Sequence, residues 1–125
     1  MDIWPGFSEG RLLRIFLDER DRAGMQPLYT AVVELLRKRG VAGATVFRGI
    51  EGFGGHREMH VAKLFAWVPN LPVLIEVVDD WSRLEPVLAE IEALVPEGLV
   101  TLEPVAYRRL SLDSVRDDKG SRAER

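Results

Sequence analysis

The 125-residue chain predicts an α+β domain built on one antiparallel sheet, and three observations carry that prediction. Short apolar, β-branched segments alternate with two segments of helical period in the order strand, helix, strand, loop, strand, helix, strand. The breaks between them, at Pro27, Gly40, Pro96 and Gly98, fall where helices start and stop. A hydrophobic content of 46% over this length suits one ordinary core and hence one domain. The order is the split β-α-β arrangement of ferredoxin-like folds: βαββαβ, a four-stranded antiparallel sheet with two helices on one face.

Residues 12–17 (LLRIFL) read as the first strand, ended by the charged run DERDRAG. From Pro27, a residue suited to a first helical position, Leu28, Val32, Leu35 and Leu36 recur on one stripe until Gly40 offers a stop. Residues 44–50 (ATVFRGI) favour a pleated surface and make the second strand. Residues 61–67 (VAKLFAW) are ambiguous in period, whereas residues 73–78 (VLIEVV) form a strand of nearly continuous aliphatic character. Ser82 and Glu85 then have capping-box spacing, with Leu84, Val87, Leu88, Ile91 and Val95 as the stripe behind them and Pro86 in the first turn. The last strand runs over residues 99–107, and Pro104 inside it points to a sheet edge or a bend, because proline cannot donate to a ladder. The expected organisation is an N-terminal extension at 1–10, a domain over 11–110 and a charged, disordered tail at 111–125.

Two helices cover one face of such a sheet, yet VLIEVV is apolar on both faces. Each large aliphatic side chain left in water forgoes about 1.5–3 kcal/mol, so a second copy of the chain is the expected cover for the other face. A charge at an inward position, such as Ile75→Asp, should then prevent assembly, or folding itself if the residue faces the helices. Glu76, alone among aliphatics, should find a cation or sit at a rim.

Composition limits the functions. With 17 Lys and Arg against 20 Asp and Glu, the net charge of -3 provides no basic field for a phosphate backbone, and no nucleic-acid partner is expected. Zero cysteines leave no disulfide, thiol nucleophile or thiolate metal site. No apolar segment reaches membrane-spanning length and residues 1–10 do not read as a leader, so a cytoplasmic protein without direct membrane insertion is expected.

Chemistry concentrates in residues 48–60 (RGIEGFGGHREMH), which hold four of the 11 glycines and both histidines. The glycines fit neither familiar phosphate signature: no G-K-[ST] follows, and G-x-G-x-x-G is broken at Arg57. They read either as a structural hairpin or as a ligand loop whose glycines permit positive φ and bring backbone donors of Gly52 and Gly54 to an anion. Arg48 and Arg57 would add charge-assisted contacts. His56, Glu58 and His60 are the one concentrated set of acid-base or metal-binding groups, but H-R-E-M-H is displaced from the zincin pattern and a loop holds such groups poorly. No tight metal site, no cofactor and no catalytic residue are expected. A metal-binding protein or a small oligomeric enzyme of ferredoxin-like fold is the alternative. Phe65 and Trp67 read as core or interface residues.

The runs GVAGATVFRGIEGFG, LPVLIEVVDD and PEGLVTLEPV resemble the PII-related bacterial family called domain of unknown function one-ninety, over residues 11–107. The resemblance implies a PII-like homotrimer with sheets facing inward and a small effector, an adenine nucleotide or another anion, bound in clefts between subunits. In PII proteins the loop after the second strand, the T-loop, changes shape with ligand and engages a target. Gly52, Phe53 and Gly54 resemble its glycine-aromatic-glycine base, which makes 51–60 the implied target-binding segment. The implied ligand residues are Arg48, Gly49, Gly52, Phe53, Gly54, Arg57 and Arg108. Two departures stand out. The PII loop before the last strand carries a lysine, but here it is Pro96, Glu97 and Gly98 followed by Leu99, and Arg108 and Arg109 do not reproduce the spacing of the PII arginines. Triphosphate binding is the property these departures weaken most.

Overall fold

The computed structural model describes residues 4–54, 60–61 and 71–111. Its main elements are β1 (Ser8–Asp18), α1 (Leu28–Lys38), β2 (Thr45–Arg48), β3 (Pro72–Asp79), α2 (Trp81–Leu94) and β4 (Leu99–Tyr107). The sheet order is β2-β3-β1-β4, and every pairing is antiparallel. This is the ferredoxin-like βαββαβ arrangement, with β1 and β3 central and β4, which contains Pro104, on an edge.

Alternation along the strands sorts the side chains. Leu13, Ile15 and Leu17 of β1 pair with Val77, Ile75 and Val73 of β3, and all six are buried beneath the helices. Leu28, Val32 and Leu36 from α1 and Leu84, Val87 and Ile91 from α2 close this core. Ile75 is therefore a helix-side residue with no exposed surface, so the second of the two outcomes expected for Ile75→Asp applies, and it is the neighbouring Leu74 that lies on the other face.

Among the described residues nothing covers the other face. Phe47, Leu74, Phe16 and Leu99 stand opposite one another across all four strands, and Phe16, Phe47 and Leu99 are exposed. The adjacent row is polar. Arg14 meets Glu76 at 3.2 Å and Glu103 at 2.7 Å, so Glu76 has the cationic partner its surroundings demand.

Local chemistry sets the helix ends. Gly40, at φ +80°, follows the Arg39 C-cap of α1, a left-handed position that suits glycine. The second helix differs from expectation. It begins at Trp81 with Asp80 as N-cap, and no capping-box hydrogen bond from Ser82 forms. Pro86 consequently lies beyond the first turn. Ser82 and Pro86 are both exposed, so the carbonyl freed by the missing N–H has water available. The charged run after β1 also does more than end a strand. Arg22–Ala23 pairs with Gln26–Pro27 across a turn in which Gly24 has φ +62°.

Candidate functional site

The base of the glycine-rich segment is built where β1, β2 and β3 end together. Arg48 closes β2, and its guanidinium pairs with Glu19, the residue after β1. Gly49 N–H donates to the Pro72 carbonyl at 2.7 Å, which ties the departing chain to the start of β3. A Cβ on Gly49 would lie 2.7 Å from the Pro72 ring, and one on Gly52 would lie 3.2 Å from it. Glycine is needed here for close approach. Positive φ, the role expected for these glycines, occurs among the described residues at Gly6, Gly24 and Gly40, outside this segment. Glu51–Gly52 pairs with His60–Val61, Phe53 and Ile50 are exposed, and a Cβ on Gly54 would meet open space.

Arg57, His56 and Glu58 lie outside the described residues, as do Phe65, Trp67 and the tail from 112. The disorder expected of the tail falls there too. Among the described residues no group of His, Cys, Asp and Glu is placed to hold a metal ion.

The turn before β4 stands at the same end of the sheet, because Leu99 pairs with Phe16 and Phe16 with Leu74. Gly98 is held against the Phe16 carbonyl, which a Cβ would approach to 2.9 Å. Beside it opens a groove of about 340 Å³ lined by aliphatic residues of β1, α2 and β4 together with Glu92 and Glu97. This lining contains no lysine or arginine to hold a phosphate.

Arg108 is at the opposite end. Ser8 pairs with Tyr107, whereas Arg48 stands level with Val73 and Leu17. Nine strand steps of about 3.3 Å put Arg108 about 30 Å from the loop base within one chain. Its guanidinium lies near Gly6, which has φ +82°. The same end of the sheet holds a second polar cluster. The fully buried Asp79 carboxylate accepts from the Ala42 N–H at 2.9 Å and the Asp80 N–H at 2.8 Å, with Arg83 at 3.3 Å and Arg109 at 3.7 Å. Tyr107 donates its hydroxyl to Asp80 at 2.5 Å, and this hydrogen bond, followed by burial, raises the phenol above its usual range.

The structure thus brings Arg48, Gly49 and Gly52 together, leaves Phe53 and Gly54 exposed beside them, and separates Arg108 from all five. The sequence reading passed over Glu19 and Pro72. Their signal was position: an acid directly after a strand that feeds the sheet centre, and a proline directly before another.

A four-stranded antiparallel sheet with two helices on one face, a long segment after the second strand and a short turn before the fourth define a PII-like ferredoxin fold. The chain belongs to the DUF190 family, described as Uncharacterized ACR, whose model matches residues 10–107. It is 40% identical over 95 residues to a UPF0166 protein of Aquifex aeolicus (strain VF5), covering 76% of this chain and 90% of that one. Its fold is similar to that of CPII from Thiomonas intermedia K12, a nitrogen regulatory PII-like protein solved with ADP, AMP and bicarbonate. That match has a TM-score of 0.64 at 19% identity and covers 82% of this chain and 92% of that one. A Thermus thermophilus protein described as PII-like signaling matches with a TM-score of 0.61 at 16% identity, covering 82% and 93%. No described helix is long and apolar enough to cross a membrane.

Proposed function

We propose that this protein is a PII-like regulatory protein without catalytic activity. It forms a homotrimer, binds a small anionic effector in the clefts between subunits, and signals through residues 51–60 to a target protein. The observation that carries the reading is the separation of Arg108 from the loop base. Candidate ligand residues at opposite ends of one sheet, about 30 Å apart, converge only if another copy supplies one set. The uncovered row of Phe47, Leu74, Phe16 and Leu99 gives such copies an apolar surface to share.

An adenylate is the preferred ligand class. ADP and AMP occupy the similar CPII structure, and the turn at Pro96, Glu97 and Gly98 offers no cation for a longer phosphate chain. The effector would meet Arg48, Gly49, Gly52, Phe53, Gly54 and Arg57 from one subunit and Arg108 from the next.

Calorimetry with AMP, ADP, ATP and bicarbonate on the full chain, with light scattering on the same sample, tests this reading. The expected result is a trimer that binds AMP or ADP more tightly than ATP and loses binding in Arg108→Gln. A stable monomer, or binding that survives loss of both Arg48 and Arg108, would refute it.

A further inference from the structure

We propose that Glu19 is a positioning residue that couples the two legs of segment 49–70, so that whatever engages the Arg48 guanidinium is felt at Leu71. One carboxylate, with its side chain 13% exposed, serves both legs. It accepts from Arg48 at Oε1 and from the Leu71 backbone N–H at Oε2, the latter at 3.3 Å. The backbone closes the same junction, since Glu19 N–H donates to the Leu71 carbonyl at 3.0 Å and Gly49 N–H to the Pro72 carbonyl at 2.7 Å. The leg leaving β2 and the leg entering β3 therefore meet on one side chain, from the residue directly after β1.

Burial and asymmetry raise this contact above an ordinary surface ion pair. An exposed pair contributes little because water replaces each partner. Here the carboxylate is largely buried and both of its oxygens are engaged, and Leu71 is only 8% exposed, so loss of Glu19 strands a backbone donor as well as a charge. Groups that share one carboxylate respond together. Arg48 is the movable partner: its side chain is 52% exposed, and a guanidinium has five donors, enough to meet an anion outside while Glu19 orients it from within. An anion that draws the guanidinium outward weakens one of the two holds on Glu19 and so loosens the other leg.

The inference deepens the ligand reading above, because Arg48 is a proposed ligand contact, but its test uses the ligand-free full chain. Amide hydrogen exchange is measured for residues 49–54 and for Leu71, relative to core amides of Ile15 and Ile75. Glu19→Gln should speed exchange in both legs by about tenfold. Arg48→Gln should speed Leu71 as well, and the double variant should exchange no faster than Glu19→Gln alone. The charge swap Glu19→Arg with Arg48→Glu should restore 49–54 but leave Leu71 fast, because a guanidinium cannot accept the Leu71 N–H. If Glu19→Gln fails to fold, Arg48→Gln supplies the same readout from an exposed side chain. Unchanged Leu71 exchange in Arg48→Gln, additive effects, or a swap that restores Leu71 would overturn the coupling. Failure to bind any nucleotide would overturn the ligand reading alone and leave the exchange pattern to judge Glu19.

Discussion

Gly10 lies against Tyr107: a Cβ on Gly10 would sit 2.6 Å from the Tyr107 ring and 2.8 Å from the Asp79 carbonyl. The ring can turn aside, but the carbonyl belongs to the strand that pairs with β1 and yields only by shifting the sheet. Gly10→Ala should cost about 1–3 kcal/mol in urea denaturation. Adding Tyr107→Ala should recover only part of that loss.

Tyr107 also makes stability sensitive to alkali. Its pKa is raised, chiefly by the hydrogen bond to Asp80, so the folded chain holds the phenolic proton more tightly than the unfolded chain. Above the unfolded value of about 10 the unfolded state loses its proton first, and stability falls as pH rises through the folded value. Thermal melts should show an extra alkaline loss that is absent in Tyr107→Phe. At neutral pH that variant should be less stable by about 1–2 kcal/mol for the missing bond to a charged acceptor.

Asp79 should tolerate no replacement. Its buried carboxylate satisfies two backbone donors, from Ala42 and Asp80, and faces Arg83 and Arg109. Asp79→Ala should cost about 3–5 kcal/mol by denaturation, since it empties a fully buried site and takes the acceptor from two backbone donors and two guanidinium groups at once. Asp79→Asn, with one accepting oxygen in place of two, should fall between the two.

Adjacent positions of β3 should separate folding from assembly. Leu74→Asp places a charge on the uncovered face and should leave a folded monomer by light scattering and circular dichroism. Ile75→Asp buries an unpaired carboxylate in the core and should abolish cooperative folding. A folded Ile75→Asp trimer would contradict the assignment of faces.

These paired outcomes mark how far the sequence alone was legible. Period and punctuation located all four main strands and both helices, because Leu28, Val32 and Leu36 or Val73, Ile75 and Val77 repeat with the spacing of the element they build. A continuously apolar strand such as VLIEVV, however, carries no mark of which face meets the helices, so the sequence left two outcomes open for a charge at Ile75. The start of α2 was misplaced for a related reason. Ser82 and Glu85 have capping-box spacing, but the N-cap is Asp80, two residues earlier, beside the buried Asp79, whose carboxylate is also held by the Ala42 N–H, distant in sequence. At the candidate site the glycines were visible and their purpose was not. Gly49 and Gly52 accommodate Pro72, whose approach depends on the β2–β3 register. Glu19 was invisible as a functional residue because both partners of its carboxylate are non-local.

The central position of β1 sets a timetable for synthesis. Arg14 on β1 bonds to Glu103 on β4, 89 residues later, and β3 also follows β1 at a distance. At about 5–20 residues per second the ribosome takes about 5–20 s to deliver both neighbours. Until β3 arrives the apolar β1 has both edges unpaired, and until β4 arrives it still has one, the condition in which nascent chains aggregate. How much this protein depends on chaperones is thus governed by where its first strand sits in the sheet, and a release before residue 99 would leave that strand half paired for good.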